Sequence, residues 1–315
     1  MTDAKRVEQL ESQASATLSF ADLDAQLRLK IRSTLGLCFP ILYAEFARNI
    51  DVASMRRQGI ASVITAVDVE RTLTPLPVGG KLDVDVAIRM CDFAAGAIAD
   101  GRRRLGFEVR LELRAVPGTG DPLRYRDAAP GAERVVCGRS TVLLALLRPA
   151  APLIERLISD PPPEVAHMAV LPLAQPHPSA ESLAEIPAGF AELARRDRAA
   201  APRVWGLHNS DVNQNVFTGN YVEAMEDTFS ELLHGAGQDV GGHQIDRATL
   251  VLKKPFAAGS VAAIHAAAHR SEDRTLLVAT LHGVGTSGDY EVRPSIVGRL
   301  EGRLGVTRGD PRFAA

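Results

Sequence analysis

The period of the apolar residues changes along this chain, and each change marks an element. Residues 17–30 alternate only loosely (Leu18, Phe20, Leu23, Leu27, Leu29), which leaves a strand and a short helix both open. From Phe39 to Ile50 the spacing turns helical: Leu42, Phe46 and Ile50 fall four apart on one face, Pro40 suits a first turn, and Gly59 supplies a stop. Beyond Gly59 the pattern predicts strands. Ser62–Leu73 is rich in Val and Thr, Pro75–Gly80 reads as a turn, and Leu82–Ile88 alternates strictly at first, as a half-buried strand does. Leu105–Ala115 and Arg134–Leu147 are two more strands, with Arg102, Arg103 and Arg104 at a solvated hairpin end.

Proline then crowds residues 149–202, from Pro149 through Pro161, Pro162 and Pro163 to Pro187, which reads as a linker with short helices at Ala151–Ile158 and Gly189–Arg198. The second half repeats the order of the first. A polar turn leads into a helix over Thr218–Leu233, which stops in a glycine-rich stretch (Gly235, Gly237, Gly241, Gly242). Strands follow at Ile245–Lys253, Ser260–Ala268, Thr275–Gly283 and Ser295–Gly302. An offset of 178 residues places Tyr43 on Tyr221, Glu45 on Glu223, Phe39 on Phe217, Asp68 on Asp246 and Pro77 on Pro255. A helix followed by antiparallel strands, written twice, predicts an α+β chain in which each half packs a long helix on a sheet. The boundaries are a tail over 1–16, a first domain over 17–148, the linker over 149–202 and a second domain over 203–315.

Composition narrows the class. Of the 315 residues 46% are hydrophobic, enough for a core in each half, and a net charge of −2 gives no reason to expect nucleic acid or an anionic membrane as partner. Three cysteines, Cys38, Cys91 and Cys137, lie far apart and are odd in number, which suits a reducing cytoplasm and fits neither a disulfide framework nor a metal site. Met1–Ser15 has no apolar stretch like that of a signal peptide, and the apolar run Val142–Leu147 is too short to span a bilayer. A soluble cytoplasmic protein is the expectation.

Hydrogen-bonding side chains are densest between Trp205 and Asp227, where a polar turn (Asp211, Asn213, Asn215) runs into a helix. Asp211-Val212-Asn213-Gln214-Asn215-Val216, with Tyr221 beyond it, resembles the second hotdog domain of plant and bacterial fatty acyl-ACP thioesterases, and more broadly the 4-hydroxybenzoyl-CoA thioesterase type of hotdog protein. The family pattern is Asp-x-Asn-x-His-Val-Asn followed by a Tyr on the helix; Asp211, Asn213, Val216 and Tyr221 match it. The likeness continues into His243-Gln244-Ile245 and Thr249-Leu250. In the first half it rests on Tyr43–Arg48 and the Pro77–Leu82 turn. The chain departs from the family at Asn215, where a His stands, at Phe217, where an Asn stands, and at Pro255 and Phe256, where a Glu-Cys pair stands. The resemblance implies two tandem hotdog domains, each a long helix wrapped by a curved antiparallel sheet.

The chemistry of such a turn is readily stated. A helix N-terminus offers free amides and the positive end of a dipole, which aimed at a thioester carbonyl make an oxyanion hole. Asp211 just before it could act as general base or nucleophile, with Asn213 and Asn215 orienting water or carbonyl, and His208 is either a further catalytic group or a packed or surface histidine. Asp and Asn at such a place could equally cap the helix or build an Asx turn. Phe217, Thr218, Gly219, Tyr221 and His243, with Phe39 and Tyr43 of the first half and Met225, would line the acyl group. In the first half Ser33 takes the place of Asp211, and Cys38 is either a thiol activated by a helix start or a buried structural one. His265, His269 and His282 lie in predicted strands without acidic partners at ligand spacing, so neither metal nor cofactor is expected. There is no Gly-x-Ser-x-Gly elbow, no phosphate-binding glycine loop and no polyketide-dehydratase His motif. The reading is an acyl-CoA or acyl-carrier-protein thioesterase-like enzyme, a monomer built as a pseudo-dimer or a homodimer. An acyltransferase, dehydratase or decarboxylase of lipid or polyketide assembly, and a non-catalytic acyl-binding protein, stand as alternatives.

Overall fold

The computed structural model describes residues 6–93, 103–152, 155–197, 202–209 and 215–304. The chain divides into two compact units, Met1–Leu29 with Ser33–His177, and Lys30–Arg32 with Pro178–Ala315.

In the first unit the strands β1 (Leu10–Thr17), β2 (Ala61–Arg71), β3 (Lys81–Asp92), β4 (Leu105–Ala115) and β5 (Val135–Leu147) form an antiparallel sheet in the order β1-β3-β4-β5-β2. The short β6 (Val170–Pro172) runs parallel to the end of β3. Two helices precede β2, α1 (Ile31–Asn49) and α2 (Val52–Arg57). The inner face carries Val84, Val86 and Ile88 of β3 and Phe107, Val109, Leu111 and Leu113 of β4, all buried. α1 lays Leu35, Cys38, Phe39, Leu42 and Phe46 into the core, and Phe46 meets Phe107 edge-on at 4.8 Å. The opposite face of the sheet is charged, with cross-strand pairs such as Arg139–Glu112.

The second unit holds α3 (Ala180–Ala184), β7 (Ala191–Arg196), β8 (Arg203–Val204), α4 (Thr218–Gly235), β9 (His243–Leu252), β10 (Val261–Ser271), β11 (Arg274–Val284) and β12 (Ile296–Leu304). Its antiparallel order is β9-β12-β11-β10-β7, and β8 pairs with the start of β10. α4 buries Tyr221, Val222, Met225, Phe229, Leu232 and Leu233 and packs on β7, β10 and β12. Gly298 lets it come close: a Cβ there would sit 2.5 Å from Met225 Cε. On the other face Leu183 of α3 packs on Val251 and Val297.

Several expectations are corrected. Leu10–Thr17, all but the last residue taken with the tail, form β1; their alternation is carried by Leu10, Ser12, Ala14 and Ala16, too small and polar to show as apolar periodicity. Residues 18–30 are neither strand nor α-helix. A 3-10 turn at Phe20–Asp22 leads into a loop in which the Asp24 carboxylate accepts the amides of Gln26 and Arg28. α1 begins at Ile31, so Pro40 lies inside it, where it removes a backbone donor at a cost of about 3 kcal/mol that the buried stripe around it offsets. Gly59, at φ +73°, ends α2; α1 stops at Asn49, and Asp51 caps α2 through the Ser54 amide at 2.8 Å. Ala191–Arg196 is strand rather than helix, because pairing with β10 satisfies its backbone. In 151–158 residues 153 and 154 lie outside the described set, and Leu157 bridges to Leu147 instead of continuing a helix. Arg102 also lies outside it.

The element order repeats, but no single offset carries it. β3 and β10 start 180 residues apart, by 261 − 81, and α1 and α4 start 187 apart, by 218 − 31. Tyr43 is exposed where Tyr221 is fully buried, and Glu45 is buried where Glu223 is half-exposed.

Candidate functional site

Where α4 begins, its first turn is left open. The N-cap residue is Phe217, in extended conformation, and it has no side chain able to accept a hydrogen bond. Ser, Thr, Asp or Asn normally fills this place and satisfies one of the orphan amides. The amides of Thr218 and Gly219 donate to nothing among the described residues, and the Asn220 amide turns back to Phe217 O at 2.9 Å. Thr218 itself is buried. Two N–H groups without a partner among the described residues, at the positive end of an 18-residue helix, attract an anion or a developing negative charge.

The chain before the helix is bolted to it. Asn209 O accepts the Phe217 amide at 2.7 Å and Asn220 Nδ2 at 2.8 Å, while Asn209 Oδ1 accepts the Gly206 amide at 3.0 Å. Asn215 bridges to Ala257, and the Val216 amide donates to Phe256 O at 2.8 Å. Tyr221, one turn into α4, is fully buried, and its hydroxyl accepts the Phe256 amide at 3.0 Å. Its ring meets Trp205 edge-on at 5.4 Å and Phe256 at 6.0 Å. Trp205, Tyr221 and Phe256 thus make an aromatic wall beside the helix start, a grouping that the sequence reading missed. Its one visible signal was Phe256 at the place where the family resemblance puts a cysteine.

The other expected site residues are spread out. Asp211 and Asn213 lie outside the described residues. His208 sits exposed on a 3-10 turn, Leu207–Asn209, with its ring against Gly206. Phe217 is half-buried at the cap and Gly219 half-buried beside it. His243 is not brought to the turn: its Nε2 and Thr275 Oγ1 share a 2.6 Å hydrogen bond and its ring packs on Phe229, about 16 Å along the helix from Thr218. Phe39 and Tyr43 belong to the first unit, buried and exposed respectively, with ring centroids 6.1 Å apart. Met225 is buried under Gly298. Cys38 lies mid-helix rather than before a helix start. Burial, with Cys137 nearby, pushes its thiol up to about 12, and burial likewise raises Cys137 to about 12 and Cys91 to about 11, so none is an activated nucleophile. Among the described residues no three His, Cys, Asp or Glu side chains gather as metal ligands, and no helix is long and apolar enough to cross a membrane.

The loop carrying Phe256 also walls an open cleft of about 400 Å³. Ser260, Tyr290 and the ion pair of Lys254 with Glu291, 2.7 Å apart, stand around it. The hydrogen bond from Lys254 holds the Glu291 carboxyl below the usual range, with Ser295 Oγ adding a second donor.

Solved structures with the same arrangement are known. A provisionally assigned oleoyl thioesterase from Lactobacillus plantarum superposes with a TM-score of 0.61 at 11% identity, covering 94% of this chain and 95% of that one. The fold is a double hotdog. An acyl-ACP thioesterase from Bacteroides thetaiotaomicron (TM-score 0.57, 11% identity, 93% and 97% covered) and the 12:0-ACP thioesterase from Umbellularia californica (0.58, 14%, 93% and 94%) share the double hotdog over nearly their whole length. No family model matches the sequence. No curated protein matches it either. At these identities the likeness is one of fold.

Proposed function

We propose that this double-hotdog protein hydrolyses an acyl thioester carried on coenzyme A or an acyl carrier protein. The observation that carries the reading is the start of α4, where Phe217 supplies no side-chain cap and the Thr218 and Gly219 amides have no acceptor among the described residues. A thioester carbonyl placed there gains negative charge as it is attacked, and two amides fixed in a site with little water stabilise that charge more than they stabilise the ground state. Asp211, a few residues before the helix, is the proposed base that takes a proton from the attacking water, or the nucleophile that attacks directly, and Asn213 orients the water. The cleft beside Phe256 is of a size that takes the arm of a thioester carrier. The structural neighbours named above, being thioesterases, agree with this chemistry at the level of fold.

Phe256 favours a second reading. It is buried in the aromatic wall at the place where the family resemblance puts a cysteine, and a site without that group suits an acyl-binding or acyl-transferring protein. The test is thiol release from a panel of acyl-CoA and acyl-carrier-protein thioesters. Hydrolysis predicts release that Asp211→Ala removes. Binding or acyl transfer without release to water would sink the hydrolase reading.

A further inference from the structure

Trp205 is the one tryptophan in the chain, and it is fully buried. Its indole Nε1 has no hydrogen-bond partner among the described residues. Indole nitrogen is a donor only, and a buried donor left unpaired costs its full desolvation. The side chain is held where it is. The Trp205 amide donates to Ser260 O at 3.0 Å, and its carbonyl accepts the Gly259 amide at 2.7 Å. The ring is wedged between Tyr221 and Phe256, the Phe256 ring 6.2 Å away, and the Arg203 guanidinium lies 5.2 Å from its centre. Trp205 is also tied to the first turn of α4, through Gly206 and Asn209 to Phe217 and Asn220 and through its contact with Tyr221. Tyr221 lies in the first turn of α4, so the Trp205 ring packs on the turn that carries the open amides.

The first turn of α4 and the ring packed on it therefore present two kinds of donor without a partner among the described residues. The Thr218 and Gly219 amides suit one oxygen, and the indole N–H needs another. We infer that Trp205 is a substrate-contacting donor, and that the acyl group taken by the site carries an oxygen close to its thioester carbonyl, as 3-hydroxyacyl and 3-oxoacyl thioesters do. This rests on the proposed thioester site at α4. An unsubstituted acyl chain would leave the indole unpaired in an apolar wall. Sites built to hydrogen-bond a substrate oxygen reject the analogue that lacks it far more strongly than apolar pockets reject an extra methylene.

A single tryptophan makes the test direct. The full-length protein, labelled with nitrogen-15, has one indole N–H resonance. It is titrated with carbonyl-retaining thioether analogues of 3-hydroxyacyl-CoA and of unsubstituted acyl-CoA, matched in length across short, medium and long chains. The inference expects a saturable downfield shift with the 3-hydroxy ligand and none with its unsubstituted partner. In turnover, kcat/KM should favour the 3-hydroxyacyl thioester roughly tenfold or more, and Trp205→Phe should abolish that preference. Equal shifts with both ligands overturn it, as does an indole proton already bonded and exchange-protected in the ligand-free protein. Thiol release with no preference sinks this inference and leaves the hydrolase standing. A selective indole shift without thiol release from any thioester does the reverse. Should Trp205→Phe not fold, the titration of the unaltered protein decides alone.

Discussion

The amide of Phe256 donates to the Tyr221 hydroxyl at 3.0 Å, so the loop after β9 hangs on the first turn of α4. Both residues are buried, and no backbone ladder serves that amide. Tyr221→Phe keeps the ring and its contact with Trp205 but leaves the Phe256 N–H without a partner. The expected loss is about 1–3 kcal/mol of stability in urea unfolding. An unchanged midpoint would mean that the loop finds another acceptor.

Phe217 at the N-cap bears on activity more than on stability. Phe217→Asp introduces a side-chain carboxylate that accepts the first-turn amides. The variant should fold, by far-ultraviolet circular dichroism, and lose thiol release by roughly a hundredfold, the scale of a lost oxyanion donor. Phe217→Ala adds no acceptor and should stay far more active. Equal activity of the two variants would remove the α4 amides from the mechanism.

Gly298 and Met225 fill one space. A Cβ at Gly298 would lie 2.5 Å from Met225 Cε and 2.6 Å from its sulfur, and Met225 is fully buried with little room to yield. Gly298→Ala should cost about 1–3 kcal/mol by overpacking. In a Met225→Ala background the same change should be nearly neutral, giving a coupling energy of about 1 kcal/mol or more. Additive effects would show that the helix rides further from β12 than described.

The three thiols give the first unit a pH dependence on the alkaline side. Burial raises the folded-state values of Cys38 and Cys137 to about 12 and of Cys91 to about 11. In an unfolded chain they titrate near 8.5. A group whose folded value is raised contributes stability that is whole below the unfolded value and is lost as pH rises toward the folded one. Stability should therefore decline between about pH 8.5 and 12, and Cys38→Ala with Cys137→Ala should flatten that decline beyond the cost of the cavity they leave. In the native protein at neutral pH a thiol-reactive dye should label none of the three until denaturant is added.

Much of the fold was legible because strands and long amphipathic helices write their period in the chain. β4 lies where Leu105–Ala115 placed it, and α4 begins at Thr218 as expected. β1 was hidden because Ala and Ser alternate without an apolar contrast. β7 was hidden because Ala191–Arg196 is made of good helix formers and depends on β10 for its backbone partners. The start of α1 was masked by Pro40, which locally argues for a first turn.

The site divides the same way. Its proposed place, at the entry to α4, follows from residue types and spacing, since an Asp- and Asn-rich stretch before an amphipathic helix is a local pattern. Burial and pairing are not local. Phe217 at the cap, the unpaired amides behind it and Trp205 wedged between Tyr221 and Phe256 emerge only when segments some 50 residues apart, from Trp205 to Phe256, are packed together. His243 matched a family motif yet packs on Phe229, away from the turn. By itself the sequence determined that the chain repeats a helix followed by strands, and where its polar turn lies. Only the tertiary structure decided which donors are left without partners, because an unpaired group is defined by everything that surrounds it.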